Sequence, residues 1–67
     1  MVSELEIYRA ASSLIKHHGA DAVFEAARKA DAMIEKGDPE GLAVWKRILA
    51  AVKELQSTER PAGDQVH

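Results

Sequence analysis

The sequence predicts an all-α domain, a small three-helix bundle with short connections and a flexible C-terminal tail. Apolar residues recur with the 3.6-residue period of amphipathic helices, and glycines followed by capping residues interrupt that pattern twice. The pattern ends after the third helix, where proline, glycine and polar residues dominate. The expected helices span about 4–18, 21–36 and 39–56, which together form one domain at 1–56, and the disordered tail spans 57–67.

Length and composition restrict the classes of protein to consider. The chain has 67 residues and no cysteine, so its core must come from helix packing, with self-association as a further source of buried surface. The absence of cysteine, of a basic and apolar leader and of any long apolar run predicts a cytoplasmic protein without a membrane span. A net charge of −2 disfavours nucleic acid as a partner.

The first helix has a clear start and a clear end. Ser3 and Glu6 have the spacing of a capping box, and Gly19 follows the last helical position. One face of the expected helix carries an apolar stripe that ends in a histidine: Ile7, Tyr8, Ala11, Leu14, Ile15 and His18. The opposite face is polar.

The second helix begins after Asp21, the expected N-cap. Its expected buried stripe is rich in alanine, which allows a neighbouring helix to approach closely: Val23, Ala26, Ala27, Ala30, Met33 and Ile34. Phe24 lies at the edge of this stripe and either folds inward over the core or remains exposed. Glu25 and Lys29 have the spacing of a favourable ion pair.

The third helix begins three residues after the second one ends. Gly37 suits the left-handed position after a helix, Asp38 suits an N-cap, and Pro39 suits the first helical position. The helix carries the broadest apolar face of the three, formed by Leu42, Trp45, Ile48, Leu49, Val52 and Leu55, with Val44 and Ala51 beside it. We therefore expect this helix to contribute most to the core.

Few side chains are suited to catalysis or ligand binding, and none forms a motif for catalysis, metal binding or phosphate binding. His17 and His18 point about 100° apart on a helix, so they cannot chelate one ion together. His18 is either a ligand or pH-sensitive group, or a residue that interacts with the helix C-terminus. Two carboxylate pairs, Asp31 with Glu35 and Asp38 with Glu40, are explained by solvated faces and capping. We predict no enzyme, no cofactor and no metal.

The second and third helices also allow a helix-turn-helix interpretation, in which Lys46, Arg47 and Lys53 face phosphates. Asp38 and Glu40 oppose it, because the N-terminus of a recognition helix normally meets base edges. A cluster of the three basic residues with Lys16 or Lys36 on one face would favour this DNA-binding or regulatory alternative.

The leading hypothesis is a non-enzymatic protein–protein interaction module whose partner is another protein or a second copy of the chain. Large aromatic residues are favoured at the centres of interfaces, and a chain this short has little interior in which to bury three apolar faces. The expected interface consists of Trp45, Phe24, Tyr8, Leu42 and Leu49. Trp45 remains open to two interpretations, as a core residue or as an interface residue.

The residues at the two helix boundaries carry a resemblance to a known family. His18-Gly19 with Ala22, and Gly37-Asp38 with Gly41, Trp45 and Ile48, resemble a family of small alphaproteobacterial proteins classified as a domain of unknown function. The resemblance covers about half of the chain. It implies a bacterial, cytoplasmic, helical protein and carries over no activity, cofactor or catalytic residue.

Overall fold

The computed structural model describes residues 2–59, within which every regular element is helical and no strand occurs. Helix α1 spans Glu4–His18, helix α2 spans Ala22–Lys36 and helix α3 spans Pro39–Glu59. A single 3-10 turn, Gly19–Asp21, connects α1 to α2. The prediction of an all-α fold is confirmed. Residues 60–67, which make up most of the predicted tail, lie outside the described residues.

The predicted ends of α1 are confirmed. The Ser3 hydroxyl accepts a hydrogen bond from the Glu6 amide across 3.2 Å, as the first half of a capping box requires. Gly19 ends the helix with a φ of 59°, and its own amide donates to the Ile15 carbonyl. A residue with a Cβ is strained at that dihedral angle, so glycine is the suitable residue here.

Asp21 is the N-cap residue of α2, as predicted, but its side chain makes no capping hydrogen bond. Asp21 precedes the helix, but its φ and ψ of −86° and 2° continue the 3-10 turn, and its carboxylate accepts no capping hydrogen bond. A side-chain cap requires an extended backbone at that position. The turn supplies a backbone bond instead, from the Ala22 amide to the Gly19 carbonyl.

The connection between α2 and α3 follows the prediction closely. Gly37 adopts the left-handed conformation, with a φ of 71° and a ψ of 37°. The Gly37 amide donates to Ile34 across 3.0 Å and the Asp38 amide donates to Met33 across 2.9 Å, the two bonds of a Schellman motif. The Asp38 carboxylate then accepts from the Gly41 amide across 3.0 Å. One helix is ended and the next is capped within adjacent residues.

Helix α3 extends to Glu59, three residues beyond the predicted end. Residues 57–59, which were assigned to the flexible tail, are therefore helical. The amide nitrogen of the Gln56 side chain donates to the Gly19 carbonyl across 2.9 Å. This bond ties the C-terminal part of α3 to the connection between α1 and α2.

The core lies along α3, with α1 and α2 packed against it. It is formed by buried residues from all three helices: Ile7, Ala11, Ala22, Ile48, Ala51 and Val52. Val52 is fully buried, and Ile48 is 5% exposed. Helix α3 thus contributes half of this cluster, as its broad apolar face predicts.

Helix α2 is rotated relative to the predicted stripe. Its buried residues are Ala22, Ala26 and Ala30, so the helix presents alanine to its neighbours. Ile34, which was predicted to be buried, is 60% exposed. A helix packed through alanine approaches its neighbour closely, and the bulky side chains of α3 fill the space between them. Phe24 and Ile34 are consequently exposed, whereas Val23 and Met33 remain half-buried.

The end of the α1 stripe also differs from the prediction. His18 lies about 20° from Ile7 and from Ala11 on the helical wheel, yet it is exposed. It occupies the last turn of α1, where the chain departs into Gly19–Asp21. His17 is exposed as well, and its Nδ1 lies 2.8 Å from the Ser13 carbonyl oxygen, to which it donates. That bond is local to the helix C-terminus.

Candidate protein-interaction surface

Three large apolar side chains are strongly exposed among the described residues. Leu5 and Phe24 are each 65% exposed, and Ile34 is 60% exposed. Two of the three belong to α2, and they lie ten residues apart on it. Large apolar residues grouped on one exposed face usually mark a site of interaction, whereas a single one has no such meaning.

The outer face of α2 is formed by Phe24, Ala27, Asp31 and Ile34, and its middle lies about 120° around the helix from the middle of the buried alanines. Phe24 lies about 160° around the helix from the middle of the buried alanines, and Ile34 lies about 80° from Phe24. The two large residues are about 15 Å apart along the axis. Ala27, half-buried, and Asp31, exposed, lie between them. Small side chains between two bulky ones leave room for another helix to lie along this face.

The outer face of α2 continues into a depression at the junction of α2 and α3. The depression has a volume of about 260 Å³ and is lined by Met33, Ile34, Gly37, Asp38, Pro39 and Leu42. Ile34 belongs to both features. Leu42 was predicted at the interface and is placed here, half-buried. Leu49, also half-buried, is seven residues further along α3 and so shares the face of Leu42.

Trp45 lies on a different surface from Phe24. It is half-buried, packs against the core cluster and has the Lys29 ammonium 6.0 Å from its ring centroid. That separation is at the outer limit of a cation–π contact. Phe24 points about 140° away from Lys29 around α2, so the two aromatic residues do not form one patch. Glu25 pairs with Arg28 across 3.3 Å, and the expected pair of Glu25 with Lys29 is not formed.

Tyr8 is placed on the opposite side of α3. Its ring is half-buried against the core cluster, and its hydroxyl donates to Oε1 of Glu54 across 2.6 Å. This hydrogen bond raises the pKa of Tyr8 above its ordinary value of 10.0, and desolvation and the negative charges of Glu54 and Glu4 act in the same direction. The contact joins α1 to α3, so Tyr8 is not brought together with Phe24 or Trp45.

The three basic residues of α3 do not all lie on one surface. Lys46 and Lys53 lie on one side of α3, whereas Arg47 points about 100° away and borders a depression together with Glu4 and Glu54. Helices α2 and α3 also run side by side along their lengths, since Val23 lies beside Lys53 at the end remote from their junction. A helix-turn-helix instead requires two helices that cross at about 90–120°.

No group of three or more histidine, aspartate or glutamate side chains within residues 2–59 is arranged to hold a metal ion. None of the helices over the same residues has both the length and the apolar character needed to cross a membrane.

Comparisons with protein-family models, with curated proteins and with solved structures find no match to this chain. The resemblance to a bacterial family therefore stays a prediction, as do a bacterial origin and a cytoplasmic location.

Sequence reasoning missed Ile34 as a surface residue. The usable signal is the spacing of positions 24, 27, 31 and 34, which repeats the three-and-four pattern of a helix face. Because Asp31 interrupts that pattern, the apolar stripe centred on the alanines dominates the helical wheel.

Proposed function

We propose that this protein is a non-enzymatic interaction module that binds another protein through the outer face of α2. The observation that carries the proposal is the exposure of Phe24 and Ile34 on one face of a helix whose three buried residues are all alanines. Burial alone would favour the opposite arrangement, with Phe24 and Ile34 in the core and alanine on the surface. An exposed phenylalanine lowers solubility, so its exposure is expected where the residue takes part in binding.

The shape of this surface fits a helical partner. The outer face of α2 is long and narrow, and it runs from Phe24 to the junction depression, where Ile34 and Leu42 line a mostly apolar concavity. An amphipathic helix binds such a surface through side chains spaced three or four residues apart. The central Asp31 would give such a partner a charge to recognise.

Affinity capture from the cells that make the protein tests this proposal, with three versions of the full chain as bait. The unaltered chain and Leu5→Glu should retain the same associated proteins, whereas Phe24→Glu should lose them. Leu5 is the matched control because it is as exposed as Phe24 but lies on α1. Loss of the same proteins from both variants, or from neither, contradicts the proposal.

Nuclease treatment of the lysate before affinity capture distinguishes this function from DNA binding. If association depends on the outer face of α2, treatment of the lysate with nuclease leaves the captured proteins unchanged. Capture that is abolished by nuclease and by Lys46→Glu with Lys53→Glu, and is unaffected by Phe24→Glu, would replace the proposal with the nucleic-acid alternative.

A further inference from the structure

We infer that the occupant of the outer face of α2 is a second copy of the same face, in a two-fold symmetric dimer with antiparallel α2 helices. The inference rests on the proposed function and names its partner. The spacing of residues along this face and the order of the charges on it favour this arrangement.

The spacing of the outer face is that of a short helix–helix interface. Phe24, Ala27, Asp31 and Ile34 are separated by three, four and three residues, the interval at which coiled-coil helices contact each other. The antiparallel arrangement that places Phe24 opposite the second copy's Ile34 also places Ala27 opposite the second copy's Asp31. Each bulky apolar residue then meets another one, and each small residue meets the carboxylate.

The charges on this face are complementary only when the two helices are antiparallel. Arg28 is exposed beside the face, one turn from Asp31. In the antiparallel arrangement Arg28 comes within about 2 Å, measured along the axis, of the second copy's Asp31, and the same pair forms again across the two-fold axis. A parallel arrangement instead places Asp31 against Asp31 at the centre, where two like charges repel. Arg28 also pairs with Glu25, and a guanidinium group has enough donors for both carboxylates.

Symmetry makes one face sufficient. A two-fold dimer uses the same patch on both copies, so one association event buries the outer face of α2 on each of them. Phe24 and Ile34 together supply four large apolar side chains to the dimer. An interface of this size is small, so the dimer should form and dissociate over micromolar concentrations.

Equilibrium sedimentation of the full chain tests self-association. We expect a mass that rises from 7.3 kDa toward twice that value as the concentration rises. Phe24→Glu should raise the dissociation constant by about 30-fold or more, the effect of losing a large aromatic anchor, and Leu5→Glu should leave it unchanged. Circular dichroism confirms that each variant remains helical. A chain that stays monomeric up to about 0.1 mM overturns the inference.

A charge exchange tests the pairing. Arg28→Glu makes the face wholly negative and Asp31→Arg makes it wholly positive, so each variant alone should dimerise about tenfold more weakly or worse. An equimolar mixture of the two restores both opposite-charge pairs, and we expect dimers that contain one copy of each. A mixture that associates no better than its components overturns the inference.

Single cysteines test the orientation, since the chain has no cysteine of its own. Under oxidation, a mixture of Ala27→Cys and Asp31→Cys should give a disulfide between the two variants, because the antiparallel arrangement brings these positions opposite each other. Either variant alone should crosslink poorly. Efficient crosslinking of Ala27→Cys with itself indicates parallel helices and contradicts the inference.

The outcomes for self-association and for the proposed function are distinguishable. A chain that remains monomeric but loses captured proteins on Phe24→Glu refutes the dimer and supports the interaction module. A monomeric chain whose capture is insensitive to Phe24→Glu refutes both.

Discussion

The backbone amide of Gly41 donates a hydrogen bond to Oδ1 of Asp38 across 3.0 Å, and this bond caps the start of α3. Asp38 is also the residue whose own amide closes the end of α2, through its bond to Met33. One residue thus terminates a helix with its backbone and begins the next with its side chain. The position of the junction depression, and of Ile34 and Leu42 beside it, depends on this connection.

Asp38→Ala should lower the free energy of unfolding by about 0.5–2 kcal/mol, because it removes the acceptor for the Gly41 amide. Asp21→Ala is the matched control, since Asp21 occupies the equivalent position before α2 but makes no side-chain cap. It should change stability by less than about 0.5 kcal/mol. Urea denaturation of the three proteins measures both effects, and equal losses from the two substitutions would contradict the assignment of the cap.

Gly41→Ala should destabilise the protein, although alanine is intrinsically about 1 kcal/mol better than glycine inside a helix. A Cβ at this position would lie 2.6 Å from Sδ of Met33 and 2.7 Å from Oδ2 of Asp38, so the thioether must move and the capping carboxylate must rotate. We expect a loss of about 1–3 kcal/mol in the free energy of unfolding. Ala43→Gly, at an exposed position two residues further along α3, measures the propensity difference alone. A gain in stability from Gly41→Ala would show that the site has more room than the structure indicates.

Tyr8 should titrate above its ordinary pKa of 10.0, because its hydroxyl donates to the Glu54 carboxylate. The folded pKa exceeds the unfolded one, so this bond stabilises the protein below pH 10 and its contribution is lost as the pH rises through the folded pKa. The phenolate absorbance reports this residue alone, since the chain contains one tyrosine. Glu54→Gln should lower the Tyr8 pKa toward 10.0, and an unchanged titration curve would contradict the contact.

Trp45 and Phe24 should respond differently to truncation. Trp45 packs against the core cluster, so Trp45→Ala should cost about 3 kcal/mol in the free energy of unfolding, near the lower end of the range for buried aromatic residues. Phe24 is 65% exposed, so Phe24→Ala should change stability by less than about 0.5 kcal/mol. Circular dichroism during urea titration compares the two. Similar losses would mean that the two residues belong to one packed cluster.

The helix boundaries could be predicted from the sequence because their causes are local. Ser3, Gly19, Gly37 and Asp38 act on groups within a few residues, so their chemistry is visible without the rest of the fold. The bond from Gln56 to Gly19, by contrast, joins residues 37 positions apart. No local pattern predicts such a contact.

The direction in which α2 faces could not be predicted from its own sequence. Apart from Ala32, its apolar residues cover an arc of about 200°, from Ala22 round to Phe24, and a neighbouring helix covers only part of that arc. Packing against the bulky residues of α3 selects the alanine side, which turns Ile34 outward. The exposure of Ile34 is therefore decided by packing between helices. Leu42 and Phe24 could be identified from the sequence, because each is a large apolar residue at the edge of its helix's apolar face.

We expect the outer face of α2 to be in contact with protein in the cell. Photo-crosslinking in living cells tests it most directly, with a photoreactive amino acid at position 24 in one strain and at position 5 in another. We predict a discrete crosslinked protein, the second copy or another, from position 24 and none from position 5. No product from position 24, or the same products from both positions, would contradict the account.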